Sequence, residues 1–273
     1  MALHPWHPRL VPFAVYGIFL APIGLARTWI PVAYPFVYVV QCGLVVWLLW
    51  RYRKLLPELT LTFDWLAVPV AVIVFVAWVG LGWLVDGDFA VRWHALLAGA
   101  PPTPSPEDFR TPHLMGPVLG WIAIVLRLLG MSLVVPLFEE LFDRSLILRS
   151  LSHWRQTAIG VVQMAQDLPL IGDWLIHTDL ARRASRHAPT FGPQFLSTPL
   201  GRLTGFGVLT STTVFMFSHV NRDKPAAVFC GLSFCLLLAA TRKKGLGPVI
   251  WAHGITNALL MVYTLHTGDW QFL

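Results

Sequence analysis

The sequence predicts an all-α fold: a polytopic integral membrane helical bundle of seven to eight transmembrane helices. Three observations carry this. Of the 273 residues, 56% are apolar and only 12% charged, against about 25% charged in soluble domains. The apolar residues gather into runs close to the roughly 20 residues that cross a bilayer. The 13 tryptophans suit a chain with many membrane–water boundaries, where Trp concentrates. The chain reads as a single membrane domain, 1–273, with N-terminal spans and a proline-rich loop over 1–115 and a motif-bearing core over 116–273.

The runs follow in order. The first, 10–26, is short and holds Pro12 and Pro22; 29–50 and 65–85 carry no charge; 116–138 is interrupted by Arg127; 203–220, 225–240 and 245–265 complete the set. The stretch 139–165 offers an eighth helix. The connection 86–115, with five prolines, four acids and two arginines, reads as an exposed loop. The connection 152–202 carries Arg182, Arg183 and Arg186 and is expected to hold an interfacial amphipathic helix or part of the eighth span. The first run has no small-x-small cleavage pattern and is expected to stay as a span.

The net charge is +6, but the basic residues sit in short clusters between apolar runs. This is a topology signal rather than a nucleic-acid footprint, and there is no RNP motif or zinc-finger spacing. Arg51 to Lys54 and Arg242 to Lys244 follow runs two and six, which places the N-terminus and the basic loops in the cytoplasm for seven spans. Cys42, Cys230 and Cys235 lie inside apolar runs and read as small buried hydrophobes.

Polar groups inside such runs demand a partner or a function. Glu139 and Glu140 are adjacent, and Arg144 stands one turn after Glu140, so those two share a helix face and pair. His219 closes the run that contains Phe215. His253 and Asn257, four apart, share one face inside the last run. Each group alone has an ordinary explanation in interfacial pairing or helix packing. Together they are the parts of a hydrolytic site without a nucleophilic Ser or Cys. A glutamate takes a proton from water, a histidine holds the water, and a His and Asn donate to an oxyanion. Glu139, His219 and His253 also form a possible zinc set, although no HExxH is present.

Glu139-Glu140-x-x-x-Arg144, Phe215-x-x-x-His219 and His253-x-x-x-Asn257 resemble, in order, the three motifs of the CAAX protease and bacteriocin-processing family, which includes the type II CAAX prenyl endopeptidases and Abi proteins. The resemblance covers roughly 135–265. The C-terminal half is similar to a bacterial CAAX prenyl protease-related branch found alongside exosortase-type sorting systems. It implies an intramembrane endopeptidase of the cell inner membrane, acting without a cofactor on a membrane-associated protein or peptide. Glu139 would be general base, His219 would hold the water, His253 and Asn257 would form the oxyanion hole, and Glu140 and Arg144 would support them. Two positions depart from the pattern: Asp143 where an aromatic is usual, and Ser145 where Gly is frequent.

A plain seven-span reading puts Glu139 and His219 at opposite membrane faces. The expected remedy is a chain break at Pro136, with 138–158 crossing as its own helix, or a re-entrant segment within 152–202. The alternative functional class is a non-catalytic membrane scaffold, immunity or assembly factor; a transporter is third, without an inverted repeat to support it.

Overall fold

The computed structural model describes residues 5–85, 116–166, 171–188 and 193–272, and all regular structure among them is helical. The 86–115 loop of the sequence reading lies outside the described residues. We label the helices α1 (His7–Ile18), α2 (Leu20–Trp29), α3 (Tyr34–Tyr52), α4 (Ala67–Val85), α5 (Pro117–Ser150), α6 (Trp154–Gln166), α7 (Ile171–Leu175), α8 (Asp179–Ala184), α9 (Gly205–Phe217), α10 (Lys224–Thr241) and α11 (Gly247–Thr267). Among the described residues six stretches are long and apolar enough to cross a membrane: His7–Ala26, Tyr34–Leu55, Ala67–Leu84, Pro117–Ser150, Lys224–Lys244 and Gly247–Thr267. The chain is therefore an all-α polytopic membrane bundle. The run at 203–220 supplies a shorter apolar helix, α9, of 13 residues.

The chain does not break at Pro136. The helix α5 is continuous over 34 residues, about 51 Å at 1.5 Å per residue, and it absorbs the proline by changing register. Gly130–Val134 and Leu141–Ile147 are π-helical and flank the α-helical turn Val135–Glu140. In the π register the Val135 N–H reaches the Gly130 carbonyl. The next such bond would join residue 136 to the Met131 carbonyl, and proline has no N–H to give. Asn257 Nδ2 donates to that carbonyl instead, at 2.7 Å. A side chain from α11 thus replaces the missing backbone donor. No separate crossing by 138–158 forms.

Helices α10 and α11 are the most enclosed, with 56% of each span buried against 22% for α5. Gly254 lets α11 lie directly on the first π segment; a Cβ there would meet the Ser132 carbonyl oxygen. Around this contact the core gathers Phe138, Leu141, Phe215, Phe234, Val249 and Leu260.

One end of the bundle collects most of the basic residues. Arg53 and Lys54 follow α3, Arg149 ends α5, Arg182 and Arg183 sit in α8, and Arg242 to Lys244 follow α10. Contacts tie these segments together: Arg149 approaches Glu58 at 3.9 Å, Lys244 Nζ pairs with Asp64 at 2.7 Å, and Thr204 Oγ1 donates to the Ser152 carbonyl at 2.6 Å. The α6–α8 connection leaves and re-enters the bundle at this end. At the opposite end Tyr38 approaches the Arg127 carbonyl at 3.5 Å.

Candidate functional site

Glu139 lies 11 residues before the end of α5, about 17 Å from the basic end. His219 follows α9, whose 13 residues rise about 20 Å from the same end. The long helix and the short one bring the two residues to one depth. This meets the demand that the sequence reading assigned to a chain break. Glu139, His219, His253 and Asn257 line one cavity of about 160 Å³, together with Trp78 and Phe215. That is ample for several waters.

The adjacent glutamates have different surroundings. The Glu140 side chain is 0% exposed, while that of Glu139 is 16% exposed and borders the cavity. Glu140 Oε1 meets His253 Nδ1 at 2.8 Å, and Oε2 faces Arg144 Nε at 3.4 Å. The second contact is an ion pair without hydrogen-bond alignment, since neither atom has a hydrogen-bond partner among the described residues. His253 Nε2 faces Glu139 Oε2 at 3.8 Å. One imidazole therefore stands between two carboxylates. With Nδ1–H donated to Glu140, Nε2 is an acceptor in the neutral ring and a donor in the imidazolium.

Arg144 is fully enclosed. Its NH1 donates to Ser211 Oγ at 3.0 Å, Ser211 Oγ donates to the Asp143 carbonyl at 3.1 Å, and the guanidinium lies 5.2 Å from the Phe215 ring centre. Asp143 is buried with Oδ1 unpartnered among the described residues, and Arg144 pairs with Glu140 rather than with it. Phe215 organises the site in a way the motif alone does not reveal. Its ring centre is 4.6 Å from His219 and 6.2 Å from His253, and its carbonyl accepts from His219 Nδ1 at 2.8 Å. That bond leaves His219 Nε2 as the ring's acceptor.

The expected pairing of Glu140 with Arg144 is present, and the expected common face of His253 and Asn257 is present. One amide N–H of Asn257 is committed to the Met131 carbonyl, which leaves the other for a further acceptor. Among the described residues no three His, Cys, Asp or Glu side chains gather as a metal site, so the alternative Glu139, His219 and His253 set is not a ligand cluster.

Sequence reasoning missed a second buried network one to two turns along α5. Arg9 grips Glu58 through both oxygens, at 2.7 and 2.9 Å; Ser145 Oγ donates to the same carboxylate; Arg149 binds the Thr198 and Leu196 carbonyls at 2.8 and 3.0 Å. Ser145 is thus a donor that ties α5 to the loop after α3. Arg9 and Glu58 carry no sequence signal of this, because charges near span ends ordinarily face water.

No family model matches the chain, and neither a curated protein nor a solved structure matches it. The chain is a polytopic helical membrane protein with a largely apolar cavity inside the bundle that Glu139, His219, His253 and Asn257 also border, an architecture suited to a membrane-embedded enzyme or scaffold.

Proposed function

We propose that the chain is an intramembrane endopeptidase, related to the CAAX protease and bacteriocin-processing family. It would cleave a peptide bond of a membrane-associated substrate using water activated by Glu139. The observation that supports this best is that Glu139, His219, His253 and Asn257 line one cavity at one depth. Glu139 is the base because it borders the cavity, whereas Glu140 is sealed behind it.

In this reading His219 Nε2 accepts a hydrogen bond from the water and Glu139 takes its proton. The oxygen attacks the scissile carbonyl carbon. The oxyanion is held by the remaining Asn257 N–H and by His253 Nε2–H, with the imidazolium balanced by Glu140. The C–N bond then breaks as the proton passes from Glu139 to the leaving amine.

The cavity walls run from Glu139 to Met131 and from His253 to Leu260, each about 10–12 Å and directed away from the basic end. Toward the basic end the way is closed by Phe138, Leu141 and Phe215, all buried. The basic end belongs in the cytoplasm by the positive-inside rule. Substrate therefore enters from the non-cytoplasmic side of the cell inner membrane. A membrane-anchored protein presented there, such as cargo of an exosortase-type sorting system, fits this better than a cytoplasmic prenylated tail.

The second reading is a scaffold. It is favoured by the Asn257–Met131 bond and the Glu140–His253–Arg144 cluster, which also clamp helices. The deciding experiment compares membrane proteomes of a deletion strain complemented with wild type or with Glu139→Gln. A fragment should be restored by wild type alone, with the variant's cleavage lower by roughly 10²–10⁴-fold at equal membrane levels. Undiminished cleavage by Glu139→Gln would leave the scaffold reading standing.

A further inference from the structure

A second cavity, of about 340 Å³, lies at the basic end, away from the site above. Arg149, His153, Gln156, His187 and Arg202 border it, and none of the described residues lining it is acidic. Arg149 forms a fixed wall, held by the Thr198 and Leu196 carbonyls. It shares the single carboxylate of Glu58 with Arg9, so that cluster keeps one uncompensated positive charge. Arg202 adds another. The side chains of Arg202, His153, His187 and Gln156 make no hydrogen bond with the described residues and are exposed. These donors border one cavity, and its described lining holds no carboxylate to neutralise them.

The helices around this cavity carry a second, independent feature. Trp154, Val161 and Met164 of α6, and Ile171 and Trp174 of α7, are exposed. Val161 and Met164 fall on the same helix face as Trp154. Short helices outside the bundle with exposed Trp and aliphatic faces, beside a basic cluster, have the character of elements lying in the membrane interface.

We infer that α6–α8 rest on the membrane surface at the basic end and that the cavity beside them binds the phosphate of an anionic phospholipid. The exposed apolar faces of α6 and α7 would rest in the acyl region of the same leaflet. A phosphodiester offers oxygens to the guanidinium, imidazole and amide donors. The described lining offers no carboxylate to balance a choline or ethanolamine head group, so an anionic lipid is preferred over a zwitterionic one. This assignment is independent of whether Glu139 is catalytic.

The test uses the full chain in detergent, with lipid retention read by native mass spectrometry and stability by thermal unfolding. Phosphatidylglycerol should be retained and should raise the unfolding temperature; phosphatidylcholine should do neither. Arg202→Gln should weaken phosphatidylglycerol binding about fivefold, and Arg202→Gln with His187→Gln should weaken it further, both at exposed positions that leave the fold intact. Equal binding of phosphatidylglycerol by wild type and double variant, or equal retention of phosphatidylcholine, overturns the site. Full stabilisation by inorganic phosphate alone overturns the lipid assignment in favour of a soluble anion.

Discussion

Glu140, with no solvent exposure, meets His253 through one oxygen and faces Arg144 through the other. A carboxylate so placed fixes the orientation of the histidine, and the histidine in turn faces Glu139. Asn257 joins this set to the backbone of α5. Its amide occupies the Met131 carbonyl that Pro136 leaves without a donor. Asn257→Ala orphans that buried carbonyl and is expected to cost about 1–3 kcal/mol of stability. Thermal unfolding in micelles measures this, and an unchanged midpoint would show the bond to be dispensable. If Asn257 also holds the oxyanion, cleavage falls by more than the loss of folded protein explains.

At the scale of elements, α5 is the long axis of the site. Two π segments in one helix turn the carboxylates toward α11 and free the carbonyl that Asn257 reads. Such widened turns are frequent at functional sites. The lower half of α5 is pinned by Glu58, which links α1, the loop after α3 and Ser145. Burial pushes the Glu58 carboxyl up, but hydrogen bonds from Arg9 and Ser145 and the Arg9 charge outweigh it and hold it below its ordinary 4.5. A carboxyl held low when folded contributes stability that is complete above its ordinary value and is lost as pH falls through the folded value. Glu58→Gln leaves two arginines uncompensated and is expected to cost roughly 3–5 kcal/mol at neutral pH. It should also lose less stability than wild type below pH 4.5. Thermal unfolding across pH measures both, and parallel acid limbs would remove Glu58 from the account.

The whole molecule is asymmetric along its axis. Basic loops crowd one end, and the cavity with Glu139 extends toward the other. Under the proposed function, orientation decides which compartment supplies the substrate. In a cysteine-free background, Thr267→Cys at the far end of α11 should react with a membrane-impermeant maleimide applied outside spheroplasts. Lys243→Cys should react only after permeabilisation. The reverse pattern would put the cavity on the cytoplasmic side and restore a cytoplasmic tail as substrate.

The sequence by itself determined the membrane class and the positions of six crossing segments, while the remaining run, 203–220, forms a helix of only 13 residues and the eighth crossing does not form among the described residues. Long apolar runs have no other stable home, and the bilayer fixes their length. It also determined the candidate residues, because Glu139, His219, His253 and Asn257 stand out against apolar surroundings. The tertiary structure decided how they meet. Pro136 reads as a break from its neighbours alone, and its tolerance depends on an asparagine more than a hundred residues away. The equal depth of Glu139 and His219 depends on pairing a 34-residue helix with a 13-residue one. The buried Arg9–Glu58–Ser145 clamp joins three distant segments. Local pattern reports which side chains must leave lipid, but only packing reports which partners receive them.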